Sequence, residues 1–212
     1  MFNNVHRFSI HSSNLNHVRR DQINFNMVQD HAALDILSEA IADVGATHNS
    51  AERYPPPRCH SETQQEIKAD ILQWCCSPSG NANVFWVHGP AGIGKSAIAQ
   101  TITELVESKG LLAASFFFSR NNKKRSNVTY LVSTIAYQLA CKVSELNDAM
   151  TRIIQQHPRI LDSSFDVQFR DLLVKAYQVA VELHGQQWIN CLTRRVIIID
   201  ALDECEIWST VQ

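Results

Sequence analysis

The sequence predicts an α/β fold with a mainly parallel sheet, and three observations predict it. Apolar, often β-branched runs at Val84-Phe85-Trp86-Val87, Ala113 to Ser119 and Val196-Ile197-Ile198-Ile199 read as strands, the last a central strand buried on both faces. Between them lie segments with apolar residues at helical spacing, so strands alternate with helices. A glycine-rich loop, Gly89-Pro90-Ala91-Gly92-Ile93-Gly94-Lys95-Ser96, joins the first strand to the helix that follows it.

The elements follow in chain order. Residues 1 to about 28 are rich in Asn, His and Ser without a sustained period, which predicts a mobile arm or a weak strand around Ile23 to Val28. Asp30 to Val44 has apolar residues at 33, 37, 41 and 44, an amphipathic helix stopped by Gly45. Thr47 to His60 contains Tyr54-Pro55-Pro56-Pro57 and reads as an extended linker. The boundary therefore falls between an N-terminal extension, 1–59, and a main domain, 60–212. Ser61 and Gln64 have capping-box spacing ahead of a helical face of Ile67, Ile71, Trp74 and Cys75. The helix after the loop carries 98, 102, 105 and 106 on one face and ends at Gly110. Asn127 caps a helix with Val128, Leu131, Val132, Ile135 and Leu139 inward. Pro158 stops a helix from about 143 to 156, and Gly185 stops a long one from Phe165 to His184.

The loop carries the chemistry. A phosphate chain needs donors that approach without side chains in the way, and glycines at 89, 92 and 94 permit that wrap. The helix beginning at Ser96 points its free N–H groups at the same anion. Lys95 would reach the β- and γ-phosphates and the Ser96 hydroxyl would ligate Mg2+. The plain alternative is a strand-to-helix turn that binds nothing. The final strand ends in Asp200, placed to hold the magnesium ion, and Asp203 and Glu204 follow within a turn. Three carboxylates so close repel one another unless a cation sits among them. Otherwise Asp203 and Glu204 form an acidic turn or a helix N-cap.

Composition excludes other classes. Nineteen basic and 21 acidic residues give no global pull toward nucleic acid or anionic membrane. The basic cluster Lys123-Lys124-Arg125 lacks interleaved aromatics and reads as a solvated loop. No apolar stretch is long enough to span a bilayer, and the first residues lack a signal-peptide core, so a cytoplasmic protein is expected. Cysteines at 59, 75, 76, 141, 191 and 205 form no CxxC pair, and nine histidines show no HExxH spacing.

Together the loop GPAGIGKS, the strand SFFFSR at 115–120, the helix LVSTIAYQLA at 131–140 and the string VIIIDALDEC at 196–205 resemble one family. It is the NACHT class of signal-transduction NTPases, in the nephrocystin-type version abundant in fungal proteins. The segment ERYPPPRCHSETQQEI at 52–67 is similar to the linker ahead of those domains, so the resemblance covers roughly residues 30 to 205. It implies a P-loop NTPase fold with three α/β/α layers, a Mg2+-bound ATP or GTP, and a nucleotide switch that governs self-association and signals to an attached effector. It also implies that Ala201 replaces an acid common in related ATPases, and that Asp203 or Glu204 positions the attacking water. The family continues past the acid cluster with further strands, a sensor arginine and a winged-helix region. The strand after the cluster lies between the loop strand and the strand ending in Asp200. A chain that kept that order would have a gap in its sheet, so either its strands close up in a changed order or the chain is the N-terminal part of such a domain, and the latter is expected. A scaffold module that does not hydrolyse and a P-loop kinase are the alternatives.

Overall fold

The computed structural model describes residues 32–60, 62–76, 83–192 and 195–206. The expected arm, the strand at Ile23 to Val28 and the Ser61 cap lie outside them. The chain is mixed α/β and mostly helical, around a two-stranded parallel sheet.

Helix α1 (Ala32–Ile41) ends ahead of Gly45, whose φ of +62° turns the chain. Residues 46–60 then run as irregular backbone with one 3₁₀ turn, Ala51–Arg53. Helix α2 (Gln65–Cys76) places Ile67, Ile71 and Cys75 toward the core, as their spacing predicts. Helix α3 (Lys95–Ser108) starts at the glycine loop and ends just before Gly110. Strand β1 (Leu112–Phe117) is buried along its whole length. Helices α4 (Thr129–Lys142) and α5 (Ser144–Gln156) follow; the N-cap of α4 is Val128, one residue after the expected Asn127, whose side chain accepts the Thr129 N–H at 2.9 Å from the turn before it. The long helix after Ser164 is α6 (Phe165–Phe169), a π-helical segment (Arg170–Lys175) and α7 (Ala176–His184), stopped at Gly185. A short α8 (Ile189–Leu192) precedes β2 (Val196–Asp200).

β1 and β2 pair in parallel, with Ser115 opposite Ile198, Phe116 opposite Ile199 and Phe117 opposite Asp200. Strand alternation sends Val196 and Ile198 toward α3, where they pack with Ile71, Ile98, Ile102 and Val106. On the opposite face Ala114, Phe116 and Phe118 pack against Leu131, Ile135 and Cys205. Burying a phenylalanine such as Phe116 stabilises by about 1.5–3 kcal/mol. A third cluster joins α1, α4, α5 and α7 around Leu37, Val132, Met150, Leu172 and Ala176.

The outer edge of β1 is closed by side chains. Gln138 accepts the Ser115 N–H and donates to the Ser115 carbonyl, each at 3.0 Å, and Lys142 Nζ donates to the carbonyls of Leu112 and Ala113. Further along, the Phe117 N–H donates to the Ala46 carbonyl at 2.9 Å. Backbone groups that would otherwise be buried without partners are thus satisfied.

Two expectations are corrected. Val84–Val87 forms no strand: Val84 and Trp86 are 73% and 66% exposed, because nothing among the described residues pairs with them. β2 is not buried on both faces, since Ile197 and Ile199 are 46% and 44% exposed. α4 covers β1 on that side, and no described strand lies beyond β2 to extend the cover. The basic cluster is also more than a solvated loop. Arg125 is half-buried with Nε donating to the Phe117 carbonyl at 3.0 Å, and Lys124 pairs with Asp43.

Candidate functional site

The site begins with the backbone of residues 89–94. Gly92 and Gly94 sit at φ +84° and +90°, the left-handed region where a Cβ is strained, and a Cβ there would meet nothing within 4 Å. Glycine at these two positions serves the loop's conformation, not a tight packing contact. Gly94 is also the N-cap of α3, so no side chain takes the first-turn N–H groups, and no acidic residue lies in that turn. Helix-start N–H groups of this kind can take an anion as partner. Residues 89–94 are solvent-exposed, while Lys95 and Ser96 at the helix start are half-buried. Lys95 Nζ folds back onto its own loop and donates to the carbonyls of Gly89 and Pro90, each at 2.8 Å.

Asp200 comes to the same point from the far end of the chain. The parallel ladder carries β2 to Phe117, and Asp200 then faces α3, where the Ser96 hydroxyl and the Ala201 N–H both favour its ionised form. Ala201 adopts a left-handed conformation, φ +55° and ψ +42°, which costs a non-glycine residue on the order of 1 kcal/mol. That turn aims the Ala201 N–H back at Asp200. Burial pushes the Asp200 carboxyl above the usual carboxylate range; the Ser96 and Ala201 bonds and the charge of Arg53 work against that, while Glu204 adds to it.

The remaining acids separate. Glu204 accepts the Arg120 N–H at 2.9 Å and acts electrostatically on Asp200, whereas Asp203 is exposed. Of the two, Glu204 is the one whose contacts face the site.

Two arginines that the sequence did not assign to the site, Arg53 and Arg125, lie beside this corner. Arg53 stacks on the Phe117 ring, 3.6 Å from its centroid, and its Nη1 donates to Gln100 Oε1 at 2.7 Å and to the His48 carbonyl at 3.1 Å. Burial, and then the neighbouring Arg125, push its pKa down to about 10, opposed by Asp200 and Glu104. No sequence period marks a linker arginine as half-buried. The nearest signal is Gln100, a polar residue set inward on α3 between Ile98 and Ile102.

The donor set suits magnesium. Mg2+ is held by oxygen, commonly one or two protein ligands completed by water and substrate phosphates. The Ser96 hydroxyl and Asp200 carboxylate are two such oxygens, close enough at the end of the glycine loop for the hydroxyl to act on the carboxylate. Among the described residues no three His, Cys, Asp or Glu side chains cluster as an all-protein metal site. No described helix is long and apolar enough to cross a membrane.

A family model described as nephrocystin 3, N-terminal, matches residues 63–211. No curated protein and no solved structure matches the chain.

Proposed function

Because the chain belongs to the nephrocystin 3 N-terminal family, we propose that it is the nucleotide-binding part of a P-loop NTPase of the NACHT class, with Mg2+-bound ATP or GTP on the loop 89–96. The fold of such a domain is a three-layer α/β/α arrangement. The single observation that carries the reading is the meeting of Ser96 and Asp200. A loop serine and a strand-end acid that the sequence assigns to one ion stand 104 positions apart, and β2 brings Asp200 to the start of α3, where the Ser96 hydroxyl favours its ionised form.

Each residue then has a part. The N–H groups of Gly92, Ile93, Gly94 and the first turn of α3 surround the phosphates. Lys95 leaves the carbonyls of Gly89 and Pro90 for the β- and γ-phosphate oxygens, exchanging neutral acceptors for charged ones. Ser96 and Asp200 hold the magnesium ion, which when bound neutralises charge on the phosphate oxygens. Glu204 would orient the attacking water, with Asp203 as the other candidate. In the family's manner the nucleotide state would govern self-association and signalling to an effector.

Binding without turnover is the second reading, favoured by one observation: the Glu204 carboxylate is engaged by the Arg120 N–H. Turnover that vanishes in Glu204→Gln while binding persists would exclude it. The test of the main reading is a titration with a fluorescent ATP analogue, with Mg2+ or with chelator. Affinity is expected to fall at least tenfold without Mg2+ and in Ser96→Ala. Equal affinity under all three conditions would overturn the assignment.

A further inference from the structure

The segment 46–59 lies as a strap along one face of α3, the helix whose first turn opens the phosphate loop. His48 Nε2 meets Glu107 Oε2 at 2.7 Å, Arg53 meets Gln100 at 2.7 Å, Arg58 meets Glu104 at 2.8–3.0 Å, and the Cys59 N–H donates to Thr101 Oγ1 at 3.1 Å. Positions 100, 104 and 107 are helical neighbours on one side, so these contacts form a single seam. The deep end of the strap is fixed to the sheet as well. Ser115, buried in the middle of β1, accepts the His48 N–H at 3.2 Å and lies 3.1 Å from His48 Nδ1.

At the centre of the seam Arg53 covers Phe117, the residue of β1 that faces Asp200 across the ladder. Residues opposed in a ladder put their side chains on the same face of the sheet. The guanidinium is thereby held on the face and at the strand level of the carboxylate that meets Ser96. Arg125 approaches the same residue from its backbone side, at the Phe117 carbonyl.

We propose that Arg53 is a positioning residue for the nucleotide site: clamped by Gln100, the His48 carbonyl and the Phe117 ring, it sets a fixed positive charge beside Asp200 and so couples the N-terminal strap to the metal–triphosphate corner. This rests on the nucleotide reading above. Arg53 acts through the field it adds. A fixed cation there opposes entry of a bare divalent ion and favours arrival of the anionic triphosphate. The corner takes metal together with nucleotide in preference to metal alone.

The two effects have opposite signs, which separates a charge role from simple loss of packing. In Arg53→Met the chain can still cover Phe117 but the charge is gone. The parent, Arg53→Met, Arg53→Lys and Lys95→Ala are each titrated with a fluorescent ATP analogue in Mg2+, and separately with Mn2+ alone followed by the EPR signal of the free ion. Circular dichroism checks the fold. Arg53→Met is expected to weaken the analogue about tenfold, the worth of one charge interaction near a surface, and to tighten Mn2+. Arg53→Lys is expected to restore both toward the parent. If Arg53→Met does not fold, Arg53→Gln is read the same way, since its amide still offers an N–H to the His48 carbonyl. Parent-like values in both titrations, or weakening of both together, would overturn the role of Arg53 while Lys95-dependent binding by the parent still upheld the site. A parent that binds no analogue would overturn the site reading and this one with it.

Discussion

Asp200 is buried among groups that only partly offset the cost of its charge, and its carboxyl pKa is raised. A carboxyl with a raised folded pKa stabilises the fold below the unfolded value, near 3.8, and loses that contribution as pH rises through the folded value. At neutral pH the ionised form is therefore a burden on the fold by itself. Asp200→Asn should stabilise the nucleotide-free protein at pH 7, with the gain shrinking as pH falls to about 4. Urea unfolding at the two pH values measures it. A destabilised Asp200→Asn at pH 7 would contradict the assignment of burial as the leading cause. Lys142 makes a different kind of prediction. Its amine satisfies two carbonyls on the outer edge of β1, and burial lowers its pKa. Lys142→Met should cost about 1–3 kcal/mol in denaturant unfolding by leaving those acceptors unpaired; a loss under 0.5 kcal/mol would mean water replaces the amine. The loop residues, Ser96 and Asp200 were legible in the sequence because fixed spacing and strand-end position define them. Arg53 and Arg125 were not, because their partners are backbone carbonyls, a ring and an inward glutamine from distant segments.

The helices were legible at the element scale, for their stops are chemical: Gly45, Gly110, Pro158 and Gly185 each follow the end of a helix within a few residues. The strands were read less completely. Composition marks Val84–Val87 and Ile197–Ile199 as strand-like, but a strand exists only where a neighbour supplies hydrogen bonds, and that neighbour is not encoded in the strand's own residues. β1 has β2 on one side and the side chains of α4 on the other. Among the described residues β2 has β1 alone, and its exposed Ile197 borders an apolar groove with Ala113, Leu139, Met150 and Leu173. Such an edge invites pairing between molecules. Ile197→Lys should reduce light scattering of a concentrated solution while changing stability by no more than about 0.5 kcal/mol. Unchanged scattering would place the sticky surface elsewhere, with the exposed Val84 and Trp86 the next segment to alter.

Three packed clusters meet around the small sheet at the scale of the whole molecule, and the site lies where the sheet's carboxyl ends meet the start of α3. The extension is not separate from this assembly. The strap joins it to α3 and β1, while α1 joins it to α4 and α5. The expectation of a plain linker between Thr47 and His60 missed the contacts of that segment, which come from His48, Arg53 and Arg58 docking on a helix about fifty residues away.

The most direct measurement is equilibrium titration of the purified chain with a fluorescent ATP analogue in Mg2+, beside Lys95→Ala, with circular dichroism showing both folded. Saturable binding by the parent and a loss of at least tenfold in Lys95→Ala are expected, since the lysine contributes a charge-assisted contact to the phosphates. Two folded proteins that bind equally, or a folded parent that does not bind, would contradict a phosphate site at residues 89–96.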